Sequence, residues 1–148
     1  MSSSFFDAMN VVSSGLEVQK ERMGTISSNI ANIHSYDPVT NKPYKRRDVV
    51  VEAIPQHEGF RDLLNKRLTP GMTRAQVVEV REDNSPPKLE YNPTHPRANA
   101  QGYVEMPNIN YIHEMANLME ATRSYEANIA VMNALKQHNN KAMELSLI

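Results

Sequence analysis

The sequence has no cysteine and a formal net charge of only −1 over 148 residues. Without cysteine there is no disulfide framework and no thiolate chemistry. A charge near zero gives no general electrostatic attraction to nucleic acid or to acidic membranes. No hydrophobic run approaches the length that spans a bilayer. These features predict one domain, or one and a half, with a modest core.

A cleavable secretory signal is also missing from the start of the chain. The first 19 residues contain no Lys or Arg, so the positively charged region of such a signal is absent. We expect that, if the protein leaves the cytoplasm, it does so by another route.

The sequence gives no sign of catalytic or metal chemistry. Its five histidines form no i, i+4 pair and no cluster with carboxylates, and its five glycines are too scattered for a phosphate-binding loop. No Ser, His and acid stand at a recognisable spacing. We therefore expect no enzyme, no cofactor and no metal site. The histidines are His34, His57, His95, His113 and His138.

The C-terminal stretch, residues 107–148, predicts a long helix that buries one stripe. Its interior lacks Gly and Pro, and either Asn108 or Asn110 can cap its first turn. The residues of the predicted stripe follow one another at alternating steps of four and three. They are Tyr111, Met115, Leu118, Thr122, Tyr125, Ile129 and Met132.

The N-terminal stretch, residues 1–35, predicts a matching helix. Ser4 and Asp7 have the form of a capping box, and Pro38 ends the helix. Two stripes at opposite ends of one chain predict an antiparallel or staggered pair, closed either within one molecule or between molecules. The N-terminal stripe consists of Phe5, Met9, Val12, Leu16, Gln19, Met23, Ile26, Ile30 and Ile33.

The middle of the chain, residues 36–106, predicts a small antiparallel β unit. Alternation within 72–82 changes phase after Val77, which indicates a β-bulge. The fold class is therefore α+β, with two long terminal helices forming a coiled-coil-like pair around the β unit. Strands are predicted at 44–54, 72–82 and 88–91, turns at 36–43, 70–71 and 83–87, a short amphipathic segment at 60–68, and a rigid extended stretch at 92–96.

Charge is concentrated in the middle of the chain. Residues 34–106 carry 21 of the 33 charged side chains, whereas the polar faces of the helices are mostly Ser, Asn, Thr and Gln. Such helices suit packing on several sides by other subunits. The basic triplet Lys45–Arg47 could bind anions, but it is more typical of a solvated strand edge, so we expect Arg46→Ala to be mild. The nine methionines fill an ordinary core or fit several partners.

Three segments resemble the bacterial flagellar axial proteins of the rod, hook and hook–filament junction. Ser28–Asn32 is similar to their N-terminal S-N-[LI]-A-N signature, and Arg123–Asn128 is similar to their C-terminal R-x-Y-x-A-N signature. The stretch 92–110 resembles the linker of the proximal-rod members. The short middle region also fits these members.

The resemblance implies a structural subunit of the periplasm-spanning basal-body rod. The terminal segments 1–35 and 107–148 would form its inner core around an export channel, and 36–106 its outer layer. Expected partners are proximal and distal rod subunits, the rod-base adaptor and the flagellar type III export apparatus. An enzyme and a cytoplasmic coiled-coil scaffold or adaptor are the alternatives.

The expected subunit interface combines both stripes with three asparagines. Asn29, Asn32 and Asn128 are expected to clamp helices through hydrogen bonds, although Asn32 could instead serve as a helix-terminal residue. The full set is Phe5, Met9, Val12, Leu16, Met23, Ile26, Asn29, Ile30, Asn32, Ile33, Met115, Leu118, Thr122, Tyr125, Asn128, Ile129 and Met132.

Overall fold

Along the chain, two long helices stand at the ends and four short strands lie between them, in the order α-β-β-β-β-α. The computed structural model describes residues 2–55 and 72–145. The predicted α+β class is confirmed, while the predicted segments 60–68 and 70–71 lie outside the described residues. The elements are α1 (Ser2–Ala31), β1 (Arg47–Pro55), β2 (Thr73–Glu82), β3 (Lys88–Tyr91), β4 (Tyr103–Met106) and α2 (Tyr111–Leu145).

The helices α1 and α2 form an antiparallel pair. Gly15, in the first half of α1, faces Asn128, at the midpoint of α2. Asn29, near the end of α1, is hydrogen-bonded to Glu114, in the first turn of α2. The pair therefore closes within one chain, which decides between the two arrangements that the sequence left open.

The face of α2 that meets α1 is rotated from the predicted stripe. Tyr111 and Ile129 of that stripe are 52% and 39% exposed, whereas Glu114 and Ala121 are buried. The stripe was misplaced because the pattern search followed large apolar residues, and Glu114, Ala121 and Asn128 are not of that kind. The observed contact stripe, again at steps of four and three, is Glu114, Leu118, Ala121, Tyr125, Asn128, Met132 and Leu135.

Helix α1 buries a second face against the β1–β2 hairpin. Val18, which lies outside the predicted stripe, is buried there. The amide of Ala75 in β2 donates a hydrogen bond of 3.2 Å to the Ser14 hydroxyl. One helix therefore supports both its partner helix and the first hairpin.

The helix ends agree with the sequence analysis at α2 and differ at α1. Asn110 caps α2, since its Oδ1 accepts hydrogen bonds from the amides of Ile112 (3.0 Å) and His113 (3.3 Å). Helix α1 already begins at Ser2, so Ser4 lies inside its first turn and the predicted capping box is wrong. The two preceding serines extend the helix, and aspartate is a weak third-position partner in such a box.

Strands β1 and β2 form a two-stranded antiparallel sheet with the predicted bulge. Val50 pairs with Glu79 and Val51 pairs with Val77, which leaves Val78 as the extra residue. The phase change in the hydrophobic alternation therefore reported the bulge correctly.

Strands β3 and β4 form a second, separate two-stranded sheet, and β4 was not predicted as a strand. The prediction that residues 92–96 are extended is wrong, because this stretch forms turns. The amide of His95 donates to the Asn92 carbonyl (3.2 Å), and the amide of Ala98 donates to the His95 carbonyl (2.9 Å). Each bond closes a turn whose second residue, Pro93 or Pro96, has the fixed φ that this position favours.

Few side chains are fully buried. The buried apolar residues among those described are Val18, Ile26, Val104, Ile109 and Ala121. No helix in the described ranges is long and apolar enough to cross a membrane. Because so little of the chain is fully enclosed, the single chain has a small core, and each contact between elements weighs heavily in its stability.

The two glycines of α1 provide a matched test of the helix packing. A Cβ at Gly24 would meet no atom within 4 Å, whereas a Cβ at Gly15 would lie 3.1 Å from Asn128 Nδ2. We expect Gly24→Ala to raise the free energy of unfolding by about 0.5–1 kcal/mol through helix propensity. Gly15→Ala should gain less, because Asn128 must shift. Urea unfolding followed by circular dichroism measures both, and equal gains would contradict the antiparallel contact.

Candidate assembly interface

A buried polar cluster lies where the end of α1, the start of β1 and the start of α2 meet. Asn29 is fully buried, and Glu114 is 1% exposed. Asn29 belongs to the last turns of α1, and Glu114 lies in the first turn of α2, where the helix dipole favours a negative charge. Three distant parts of the sequence therefore contribute to one site.

Asn29 uses both ends of its amide to join the three elements. Its Oδ1 accepts hydrogen bonds from the Arg47 amide (2.9 Å) and from the Tyr44 hydroxyl (3.3 Å). Its Nδ2 donates to the Arg47 carbonyl (2.8 Å) and to Glu114 Oε2 (3.3 Å). These four bonds use both donors and both lone pairs of the side chain, so the buried amide is fully satisfied.

Glu114 is neutralised by Arg46, the residue directly before β1. Arg46 Nε donates to Glu114 Oε1 at 2.7 Å, and its terminal nitrogens hold Asp48. The Arg46 side chain is only 19% exposed. Burial acts to lower the pKa of Arg46, but the hydrogen bonds to Glu114 and Asp48 outweigh it and raise this pKa. The guanidinium therefore stays charged beside the buried carboxylate.

The expectation that Arg46 is a solvated edge residue is wrong. In the basic triplet, Lys45 and Arg47 have half-exposed side chains near Glu82, whereas the Arg46 side chain points inward to Glu114. Alternation along an extended backbone sends the middle residue of three to the opposite side from its neighbours. Sequence reasoning missed this pair because the partners are 68 positions apart. Glu114 offered one signal, since it stands four residues before Leu118 in the observed stripe.

The three asparagines have different environments within the chain. Asn29 joins α1 to β1 and α2, as described above. Asn32 Nδ2 donates to the Ser28 carbonyl (2.8 Å) of its own helix, which is the helix-terminal role. Asn128 packs against Gly15 of α1. Their roles between subunits remain predictions.

The other residues of the expected interface lie mainly along the helix pair. Ile26 is buried, and Ile129 is exposed on the flank of α2. The remaining members are partly buried, so each keeps some surface available to a neighbouring molecule. They are Phe5, Met9, Val12, Leu16, Met23, Ile30, Ile33, Met115, Leu118, Thr122, Tyr125 and Met132.

Large apolar side chains also remain exposed on the outside of the helices. On α2, Ile112 and Met119 are 79% and 55% exposed, and they stand seven residues apart on one face. This face lies opposite the buried stripe that contains Ala121. The exposed apolar residues of the two helices include Phe6, Tyr111, Ile112, Met119, Ile129, Val131, Met143 and Leu145.

Histidine and carboxylate side chains are the residues of this chain that could hold a metal ion. Within residues 2–55 and 72–145, no group of three or more His, Asp or Glu side chains is placed to hold a metal ion. The polar cluster at Asn29 is thus a set of paired groups that joins elements of the fold.

The amino-acid sequence is similar to those of known flagellar rod proteins. Residues 100–145 match the family described as flagellar basal body rod FlgEFG protein, C-terminal. The flagellar basal-body rod protein FlgC of Bacillus subtilis (strain 168) is 39% identical over an alignment of length 148. The alignment covers 95% of this chain and 97% of that protein. The chain belongs to the FlgC family of flagellar basal-body rod proteins. FlgC of Borreliella burgdorferi is 33% identical (95% and 96% covered), and FlgC of Salmonella typhimurium is 36% identical (92% and 93% covered).

Membership of the FlgC family confirms the resemblance drawn from the three sequence segments. The chain is a structural subunit of the flagellar basal-body rod. Its FlgC relatives are structural rod proteins, and the alternative of a cytoplasmic scaffold has no support. Nearly the whole length is shared with them, so the family covers the helices and the strands alike.

The buried pair of this FlgC-family chain predicts a large effect of Arg46→Ala, whereas the sequence led us to expect a mild one. We expect Arg46→Ala to lower the free energy of unfolding by about 3–5 kcal/mol, because Glu114 would be left buried and unpaired. Lys45→Ala, the exposed neighbour, should change it by no more than about 0.5 kcal/mol. Urea unfolding of both variants tests this. Equal losses of stability would show that Arg46 and Glu114 do not form a buried pair.

Proposed function

We propose that this FlgC-family subunit enters the rod through α1 and α2, which pack against the helices of neighbouring rod subunits. The observation that carries this proposal is the exposed apolar face of α2, centred on Ile112 and Met119. Soluble monomers rarely leave a contiguous apolar patch uncovered, and such patches mark interaction sites.

The composition of this face suits contact with another helix. Between and beyond Ile112 and Met119, the exposed outward positions include the small side chains of Ala116, Ala127 and Ala130, together with Arg123 and Glu126. Small side chains let a second helix approach closely, and the large ones fill the grooves beside them. Each helix of the pair therefore has one side used within the chain and another free for a neighbouring subunit.

The charge distribution supports the same division of labour. The terminal segments carry 12 of the 33 charged side chains, whereas the segment 36–106 holds the other 21. In this proposal residues 1–35 and 107–148 form the inner part of the rod around the export channel. Residues 36–106, with both hairpins, form the outer layer.

The proposed partners are the other proximal and distal rod subunits and the rod-base adaptor. The relatives are rod proteins, and rod subunits must meet one another along the axis of the structure. We further propose that the subunit reaches the periplasm-spanning rod through the flagellar type III export apparatus.

A substitution on the exposed face of α2 tests assembly apart from folding. Ile112 is 79% exposed in the chain, so Ile112→Asp should leave helix content and stability nearly unchanged. It should nevertheless abolish motility, because a carboxylate would be buried without a partner between subunits. Val39→Asp is the matched control, since Val39 is 90% exposed on a loop outside the helices.

Three measurements complete this test. Soft-agar motility reports rod function, circular dichroism of the purified chain reports folding, and the amount of subunit in the culture medium reports export. The proposal predicts a folded and exported Ile112→Asp subunit in non-motile cells, with motile cells for Val39→Asp. Full motility of the Ile112→Asp strain would contradict it.

A further inference from the structure

The apolar contacts between α1 and α2 do not by themselves choose one alignment. On α1, Met9, Leu16, Met23 and Ile30 recur every seven residues. On α2, the same seven-residue repeat carries Leu118, Tyr125 and Met132. A slip by one heptad would therefore place apolar residues against apolar residues again. Methionine adapts to changed neighbours, so packing penalises such a slip only weakly.

The uncharged polar residues of the contact also give weak guidance. Gln19 interrupts the stripe of α1, but its Oε1 is buried with no hydrogen-bond partner among the described residues. It therefore gains nothing specific from the observed alignment. Asn128 fits against Gly15, where the missing side chain leaves room. That contact is steric and would relax if the Asn128 side chain moved.

The cluster around Glu114 differs because its contacts are short and charged. Glu114 lies 2.7 Å from Arg46 Nε and 3.3 Å from Asn29 Nδ2. A slip of one heptad moves a helical residue by about 10.5 Å, which would break both bonds. The carboxylate would then be buried without a partner, and Arg46 and Asn29 would each lose one of their hydrogen-bond acceptors.

The cluster also ties the alignment of the helices to the first hairpin. Arg46 directly precedes β1, and Asn29 holds the backbone of Arg47 through two hydrogen bonds. Glu114 on α2 therefore accepts hydrogen bonds from Asn29 of α1 and from Arg46 beside the first hairpin at the same time. A helix pair shifted by one heptad could satisfy neither.

We propose that Glu114, together with Arg46 and Asn29, determines the register of α1 against α2. Its role is to select one alignment and not to add net stability. Replacing a buried ion pair by apolar residues is often neutral or stabilising, whereas a single buried polar group can fix the register of paired helices. The inference concerns the single chain and does not rest on the proposed packing within the rod.

Engineered disulfides can measure the register directly, since the chain has no cysteine of its own. Thr122 Oγ1 lies 3.6 Å from Met23 Sδ, so Met23→Cys with Thr122→Cys reports the observed register. Met23→Cys with Met115→Cys, or with Ile129→Cys, reports a slip of one heptad in either direction. A disulfide needs Cα atoms within about 7 Å, so the three pairs distinguish the alignments. Mass spectrometry of the oxidised full chain at high dilution separates bonds within a molecule from bonds between molecules.

We compare these pairs in the parent chain and in a chain carrying Arg46→Met and Glu114→Leu. In the parent, the observed register should exceed the slipped ones by roughly tenfold or more. In the apolar variant, that excess should fall by roughly tenfold while helix content is retained. The matched control carries Lys45→Met and Glu120→Leu, two exposed positions, and should behave like the parent.

Glu114→Gln provides a second variant if the apolar one does not fold. It keeps the shape of the side chain and removes its charge, so the excess of the observed register should fall by about threefold. An unchanged excess in a folded apolar variant, or in Glu114→Gln, would overturn the proposal. A parent chain without any excess of the observed register would overturn it as well. Motility is not part of this test, so a failure of rod assembly leaves its outcome readable.

Discussion

The contact between the buried carboxylate of Glu114 and the side chains of Arg46 and Asn29 is the constraint on which the rest of the structure depends. It is where the first helix, the first hairpin and the last helix meet. The fold otherwise has few fully buried side chains, and its two sheets have two strands each. An isolated two-stranded sheet is marginal in water, so β1 and β2 depend on their attachment to α1. Asn29 provides that attachment at the start of β1, and the Ser14 hydroxyl adds a second point nearer the start of α1.

The helices thus have two separate uses for their surfaces. The contact stripe of each helix packs within the chain, and Ala121 and Ile26 are buried there. The outward face of α2, with Ile112 and Met119, has nothing over it in the described part of the chain. For a FlgC-family subunit we propose that this division is functional. Internal contacts would fix the shape that the subunit brings to the rod, and the outward face would supply the area that assembly can bury. A small core and a large exposed apolar surface then have the same cause, because apolar area that assembly buries is left uncovered in the single chain.

The sequence predicted most elements of the fold and part of the interface. Periodicity located both helices, and alternation with its change of phase located β2 and the bulge at Val78. Strand β4 was not predicted because its four residues, between a glycine and a proline, show no clear alternation of apolar and polar side chains. The contact stripe of α2 was misplaced because Glu114 and Ala121 face inward despite a charge in one case and a small size in the other. Arg46 could not be recognised, since its surroundings depend on a partner that only the folded chain brings close. Local pattern reports local structure, whereas pairing across the fold depends on topology.

The central claim is that Arg46 and Glu114 are energetically coupled, so that removing either partner alone destabilises the fold. A double-mutant cycle with Arg46→Ala, Glu114→Ala and the combined variant measures this most directly, using the free energy of unfolding in urea. The account predicts that the double variant loses less stability than the sum of the single ones, with a coupling energy of about 2 kcal/mol or more. If the two losses add to within about 0.5 kcal/mol, the two side chains act independently and the account is contradicted.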